Sequence, residues 1–218
     1  GRQRQMCIRD RGYDMGELIS SGPEEVLNRT EYTQPALLTV SVALFRYAMN
    51  NNAEVPDVVL GHSLGEYAAL VAAGAIRFED AVKLVRRRGQ YMQGAVPLGK
   101  GGMAAVLGLS DEMMIEICES VTRESKTGLV EAANFNAPEQ VVVAGDNETL
   151  LVMLERCKKS GAKRSLLLNV SAPFHCSLMR PAALKMEERL CDSLPLVRFV
   201  LWPRTTIRAL ACFAIRPI

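Results

Sequence analysis

The sequence predicts an α/β protein in which a parallel-sheet part is interrupted by a smaller α+β subdomain. A short, almost fully apolar run at residues 55–60 precedes a glycine-rich turn and an alanine-rich helix, as in a parallel sheet that is buried on both faces. A hinge-like linker follows at residues 97–102 (PLGKGG). Beyond it, strand-like and helix-like segments alternate in the order β-α-β-β-α-β, which is the ferredoxin-like pattern.

These observations define the predicted domain organisation. Residues 98–169 are assigned to the ferredoxin-like small subdomain. Residues 1–97 and 170–218 are assigned to the α/β subdomain, which the chain leaves at the linker and re-enters after the last predicted strand. A chain of 218 residues is long enough for one such domain with an insertion.

Hydrophobic periodicity places the individual elements. Outside the insert we predict helices at residues 16–27, 33–49, 64–75, 78–95 and 177–194, and a strand at residues 55–60. Within the insert we predict strands at residues 103–109, 129–133, 141–144 and 164–168, and helices at residues 111–124 and 147–160. Ser110 is a candidate N-cap, since serine hydroxyls accept bonds from the first free N–H groups of a helix.

Composition excludes several classes of function. The net charge is +2, so no strong field attracts nucleic acid or an anionic membrane, and no apolar run approaches the roughly 20 residues that span a bilayer. The six cysteines form no C-x-x-C pair, which predicts reduced thiols in a cytoplasmic protein and no zinc site. We therefore expect no metal or redox cofactor, and no nucleic-acid or membrane partner.

The segment Gly61-His62-Ser63-Leu64-Gly65 is a G-x-S-x-G motif between a predicted strand and a predicted helix. Glycines allow the sharp turn that exposes a serine hydroxyl at the end of a sheet, and they direct the N–H of Leu64 toward a developing oxyanion. Ser63 is thus a candidate nucleophile. The alternative is a serine that caps the helix in a glycine-rich turn.

A serine nucleophile needs a base, and the chain has two histidines, His62 and His175. The side chain of His62 should diverge from that of its neighbour Ser63. His175 lies in a turn-like segment where the chain returns to the larger subdomain, a suitable place for a base. His175 is therefore the favoured base, and a structural loop histidine is the alternative.

Arginines 86–88 occupy different faces of the predicted helix at residues 78–95. Arg86 falls with polar residues on the predicted solvated side, whereas Arg88 falls on the buried side. A buried guanidinium needs a partner, and its planar fork can bind a carboxylate at two points. Arg88 could hold a substrate carboxylate, or it could form an internal salt bridge or extend its head group to solvent.

Several linked segments together resemble the malonyl-CoA:acyl-carrier-protein transacylases, the acyltransferase domain family of fatty-acid and polyketide synthesis. The resemblance covers roughly residues 13–195. It rests on residues 61–67 (GHSLGEY), 28–36 (NRTEYTQPA), 88–89 (RG), 134–141 (NFNAPEQV) and 172–175 (APFH). It implies a hydrolase-like parallel-sheet core with a ferredoxin-like insert.

The resemblance also implies a reaction. Ser63 attacks the thioester of malonyl-CoA while His175 takes its proton, and the Leu64 N–H is one oxyanion donor. Arg88 pairs with the free malonyl carboxylate, and Phe174 restricts the acyl pocket to the unbranched malonyl group. The thiol of the acyl carrier protein's phosphopantetheine arm then receives the malonyl group, so coenzyme A enters as part of the substrate and not as a cofactor.

The ends of the chain depart from the family pattern. Family members open with a strand and a Gly-Gln-Gly-Ser-Gln loop that supplies a second oxyanion donor, and they continue well past residue 196 to a carbonyl that orients the histidine. Residues 1–12 and 200–218 match neither segment. We therefore expect a truncated or frame-shifted fragment with foreign sequence at both ends, and a catalytically impaired fragment is the main alternative.

A serine esterase or thioesterase is a second alternative. Such enzymes usually place an acidic residue between serine and histidine in chain order. Asp146 would be a candidate, but it falls within the predicted insert, and a buried Arg88 has no role toward a neutral ester.

Overall fold

A computed structural model describes residues 13–193 and 208–209 of the chain. These residues form two compact units. The first comprises residues 13–90 together with residues 186–193 and 208–209, and the second comprises residues 91–185.

Regular structure accounts for most of the described chain. The helices are α1 (Met15–Ser21), α2 (Glu24–Leu27), α3 (Thr30–Asn50), α4 (Gly65–Ala72), α5 (Phe78–Gln93), α6 (Asp111–Glu124), α7 (Asn147–Lys159) and α8 (Arg180–Ser193), with a 3₁₀ helix at Ser177–Met179. The strands are β1 (Val58–Val59), β2 (Gly101–Leu107), β3 (Val130–Ala137), β4 (Gln140–Asp146), β5 (Arg164–Leu167) and β6 (Arg208–Ala209).

The second unit contains a four-stranded sheet in the order β3-β4-β2-β5. All three strand pairs are antiparallel, and β2 pairs with β4 from Gly101↔Asp146 to Leu107↔Gln140. Helix α6 follows β2 and helix α7 follows β4, so the order β-α-β-β-α-β predicted from the sequence is confirmed.

One apolar core joins this sheet to its two helices. Its buried members are Ala104, Val106, Leu109, Met114, Ile117, Cys118, Val121, Val130, Val141, Val143, Leu150, Met153 and Cys157.

The predicted cap of α6 is also confirmed, because the hydroxyl of Ser110 accepts a hydrogen bond of 3.3 Å from the N–H of Met113 at the start of that helix. This bond satisfies one of the free N–H groups of that helix end.

The strand predicted at residues 55–60 differs from the observed one. Only Val58–Val59 is a strand, and it pairs in parallel with Arg208–Ala209. Val58 is 45% exposed and Leu60 is 75% exposed, so the expectation of burial on both faces is wrong for the described chain. An apolar run becomes buried only where other strands and helices cover it.

Helices α3 and α5 approach each other closely in the first unit. A Cβ atom on Gly89 of α5 would lie 2.6 Å from the Cα atom of Glu31 and 2.6 Å from the carbonyl oxygen of Thr30. Real Cβ contacts do not reach such distances, so this crossing requires glycine. The close approach fixes the position of α5, which carries Arg88, against α3.

The described cysteines agree with the predicted reduced thiols. Cys118, Cys157 and Cys176 are free and buried. Burial raises the pKa of Cys118 and Cys176 to about 12 and that of Cys157 to about 11.

None of the helices in the described ranges combines the length and apolar character required to cross a membrane.

We predict that Gly89→Ala lowers the free energy of unfolding by about 1–3 kcal/mol, because the added methyl group pushes α3 and α5 apart. Alanine would otherwise favour a helix over glycine by about 1 kcal/mol. Urea denaturation followed by circular dichroism measures the change. Gly65→Ala is the matched control, since a Cβ atom there meets nothing within 4 Å. Equal stability of the two variants would contradict the prediction.

Candidate active site

Ser63 occupies a sharp turn immediately before α4. Its φ angle is +54°, in the left-handed region that non-glycine residues adopt rarely and at a cost of about 1–3 kcal/mol. The turn is closed by a 2.9 Å bond from the Gly65 N–H to the His62 carbonyl. A Cβ atom on Gly61 would overlap the backbone of Gly65, so the first glycine of the motif is required by a close backbone approach.

The N–H of Leu64 lies beside Ser63 at the start of α4. The next N–H groups, of Gly65, Glu66 and Tyr67, donate to carbonyls three residues earlier in the chain. The Leu64 N–H donates to no group within the described part of the chain. A free N–H at a helix start is suited to bind a developing negative charge.

Arg88 contacts Ser63 directly. Its Nη2 donates a hydrogen bond of 3.2 Å to the Ser63 hydroxyl oxygen, and its guanidinium carbon lies 5.8 Å from the ring centre of Tyr67. The side chain is half-buried, which confirms its predicted face. Among the described residues, none of the ion pairs involves Arg88. The predicted internal salt bridge is therefore absent from this part of the chain.

Gln34 is the second partner of Arg88, and it was not among the residues predicted for the site. Its Oε1 accepts a 2.7 Å bond from Arg88 Nη1, and its Nε2 donates a 2.9 Å bond to the hydroxyl of Thr30 one turn earlier in α3. Gln34 is 5% exposed. In the sequence, Gln34 lies on the same apolar stripe of the helix as Leu38. That position could have indicated its role, because a buried amide needs a hydrogen-bond partner.

Burial shapes the electrostatics around Arg88. Desolvation lowers the pKa of Arg88, and the nearby Tyr67 and Glu66 act in the opposite direction. Burial also raises the pKa of Glu66, against the opposing effect of the Arg88 charge. An arginine remains protonated at physiological pH despite such a shift. The site therefore presents a partly desolvated positive charge beside a serine hydroxyl.

Arg86 does not lie on a solvated face as predicted. It is half-buried, with its guanidinium carbon 5.0 Å from the ring centre of Tyr13 and 5.9 Å from that of Tyr32. Its Nη1 is buried without a hydrogen-bond partner in the described residues. The prediction was wrong because helical periodicity cannot show that aromatic rings from an earlier segment cover this side of α5.

Phe174 and His175 lie in the second unit, in the turn before the 3₁₀ helix. His175 has an exposed side chain and a φ angle of +61°. Phe174 is partly buried and packs against two apolar clusters. One cluster includes Met92 and Met179, and the other includes Met103 and Cys176. Packing against both clusters holds the ring of Phe174, which directly precedes His175 in the sequence.

The described residues contain no group of three or more histidine, cysteine or acidic side chains arranged to hold a metal ion.

Comparison with known proteins identifies the family. The acyl transferase domain family matches residues 4–209. A malonyl CoA-acyl carrier protein transacylase of Salmonella typhimurium is 52% identical over 180 residues, which cover 82% of this chain. The chain belongs to the acyl transferase domain family. The match extends beyond the predicted limits of 13–195 at both ends. The expectation that residues 1–12 and 200–218 depart from the family is therefore wrong for residues 4–12 and 200–209.

Solved structures agree with this assignment of the acyl transferase domain. An acyl-carrier-protein S-malonyltransferase from Burkholderia pseudomallei is 50% identical, with a TM-score of 0.80 over 87% of this chain and 61% of its own. A malonyl-transacylase solved with a type II polyketide synthase acyl-carrier protein has a TM-score of 0.82, 44% identity, and coverage of 88% and 61%.

This acyl transferase domain spans 57% of the length of the Salmonella relative. Of the two segments that were predicted to depart from the family pattern, residues 1–12 lie outside the described part of the chain, and so do residues 200–218 apart from the strand at 208–209.

We predict that Gln34→Leu lowers the free energy of unfolding of this acyl transferase domain by about 1.5–3 kcal/mol, because a buried charged hydrogen bond to Arg88 is lost. Urea denaturation measures the change. Gln90→Leu is the control, since Gln90 lies exposed on α5. A Gln34 variant as stable as the Gln90 variant would show that the bond to Arg88 contributes no net stability.

Proposed function

We propose that this acyl transferase domain transfers a malonyl group from malonyl-CoA to the phosphopantetheine thiol of an acyl carrier protein. The relatives named above as malonyl transacylases support the reaction class. The observation that carries the substrate assignment is the 3.2 Å contact between Arg88 and the Ser63 hydroxyl. A guanidinium without a carboxylate partner in the described chain, next to a serine in a strained turn, suits an acyl group that carries its own carboxylate.

Ser63 is the proposed nucleophile. Its oxygen attacks the thioester carbonyl, and the C–S bond to coenzyme A breaks as a malonyl-serine ester forms. The strained φ angle at Ser63 and the free N–H of Leu64 support this role. The Leu64 N–H would donate to the oxyanion of the tetrahedral intermediate, where such donors are most effective.

His175 is the proposed general base. It takes the proton of Ser63 during attack and returns a proton to the leaving sulfur of coenzyme A. In the second half-reaction it takes the proton of the phosphopantetheine thiol, which attacks the ester and receives the malonyl group, so that Ser63 is regenerated. The exposure of His175 and its unusual backbone angle support a functional role over a structural one.

Arg88 and Phe174 are the proposed specificity residues. Two of the five N–H donors of a guanidinium are occupied by Gln34 and Ser63 among the described residues, which leaves donors for the malonyl carboxylate. Phe174 is held by packing on two apolar clusters, and a fixed ring of this size would limit the space for a branched acyl group.

The proposal also includes the fold type of each subdomain. The strand order β3-β4-β2-β5 with two helices supports a ferredoxin-like small subdomain at residues 98–169. The family match supports a hydrolase-like parallel-sheet core formed by residues 1–97 and 170–218. We further propose a cytoplasmic location, which the free buried thiols support. The proposed chemistry needs no metal.

We predict that malonyl-CoA increases the intact mass of the chain by one malonyl group, and that Ser63→Ala abolishes the increase because the ester-forming oxygen is gone. Mass spectrometry after a brief incubation measures both. An increase in the Ser63→Ala variant would place the label elsewhere. Rapid hydrolysis of simple esters without dependence on carrier protein would instead favour an esterase.

We predict that Arg88→Ala slows labelling by malonyl-CoA about 100-fold, because two charged hydrogen bonds of about 1.5 kcal/mol each are lost. Labelling by acetyl-CoA, which has no carboxylate, should not slow. Arg87→Ala is the matched control, since Arg87 is exposed on the same helix. An equal loss with both substrates would mean that Arg88 supports the serine and not the carboxylate.

A further inference from the structure

Glu131 forms two hydrogen bonds to the residue at the start of the 3₁₀ helix. Its Oε2 accepts from the backbone N–H of Ser177 at 2.6 Å, and its Oε1 accepts from the Ser177 hydroxyl at 2.8 Å. The two residues are separated by 46 positions in the chain. Both oxygens of one carboxylate are therefore used by a single residue, two positions after His175.

Glu131 is supported by the sheet of the second unit. Glu131 lies in β3, in register with Ala144 of β4, and strand β4 is paired on its other side with β2. Val130, the neighbour of Glu131, belongs to the main apolar core of the second unit. A carboxylate on such a strand can fix a turn far more firmly than a group on another loop.

The turn that Glu131 holds needs an external restraint. The φ angle of +61° at His175 is one that a histidine adopts rarely without surrounding constraints. The Cys176 thiol donates to the Pro173 carbonyl at 3.1 Å and so spans His175. On the preceding side, Gln93 Nε2 donates to the Ser171 carbonyl at 3.2 Å. On the following side, the N–H and the hydroxyl of Ser177 form the charged pair of bonds to Glu131.

We propose that Glu131 is a positioning residue, which fixes the backbone of His175 through Ser177 and so sets the direction of the imidazole. This inference rests on the proposed function, in which His175 is the base. Glu131 acts through the peptide and not through contact with substrate. Its two bonds tie the turn to the sheet, so that the imidazole of His175 keeps a defined orientation. Efficient proton transfer requires such an orientation.

Variants of Ser177 separate this role from a general effect on folding. Ser177→Thr keeps both donors, Ser177→Ala keeps the N–H alone, and Ser177→Pro removes both. Proline is tolerated at the first position of a helical turn, and the extended backbone of Cys176 (φ −124°, ψ 174°) suits a residue before proline. Glu131→Gln removes the negative charge and leaves one acceptor oxygen, so that the charged pair of bonds is replaced by weaker neutral ones. Glu139→Gln is its control, since Glu139 pairs with Lys163 in an exposed ion pair.

The first measurement is kinetic, on the full chain with malonyl-CoA and a carrier protein. We expect Ser177→Pro and Glu131→Gln to lower kcat about 10- to 100-fold with KM for malonyl-CoA within about twofold of the original, because misplacing a catalytic group slows the chemical step. Ser177→Ala should fall between these variants and the original chain, and Ser177→Thr and Glu139→Gln should match the original.

The second measurement does not depend on activity. The chain has two histidines, so its imidazole NMR spectrum contains signals from His62 and His175, which a His62→Gln variant assigns. We expect Ser177→Pro and Glu131→Gln to shift or broaden the His175 signals and to leave those of His62 unchanged. Unchanged His175 signals in both folded variants would overturn the inference, as would a lower melting temperature accompanied by a full kcat. If the original chain is not labelled by malonyl-CoA, the proposed function fails, whereas the NMR result still supports or overturns the action of Glu131 on His175.

Discussion

The partly buried positive charge of Arg88 is the constraint around which the first unit is arranged. A guanidinium loses hydration when it is covered, and the loss must be offset by hydrogen bonds. Gln34 supplies one bond from α3, and Ser63 supplies another from the turn before α4. Two separate segments, α3 and the turn before α4, are thereby tied to one side chain of α5. The close crossing at Gly89 keeps α5 near α3, so that the amide of Gln34 reaches the arginine.

The hydrogen-bond partner that α3 offers to Arg88 is a neutral amide and not a carboxylate. An acidic partner would satisfy the charge and compete with any incoming anion. An amide accepts a bond from the guanidinium without adding a negative charge to its hydrogen-bond partners. Gln34 is itself held by Thr30, so the orientation of its amide is fixed by a neighbouring hydroxyl. The arrangement orients the cation and preserves its attraction for an anion.

The features that the sequence predicted correctly depend on local pattern. The turn at Ser63 follows from two glycines at fixed spacing, the buried side of Arg88 follows from helical periodicity, and the cap at Ser110 follows from a hydroxyl before an apolar stripe. The failures depend on distant neighbours. Whether residues 55–60 are covered, and whether aromatic rings cover Arg86, are decided by segments far away in the chain. Glu131 was missed for the same reason, since its partner lies 46 residues away.

The left-handed backbone at Ser63 limits which side chains this turn can carry. A residue that is unbranched at Cβ tolerates a φ angle of +54° at some cost in conformational energy, whereas a β-branched residue there is a steric outlier. Threonine offers the same hydroxyl chemistry but adds a methyl group to Cβ. Cysteine keeps the unbranched shape of serine. Substitution at this position is thus open to cysteine and closed to threonine, for reasons of backbone geometry.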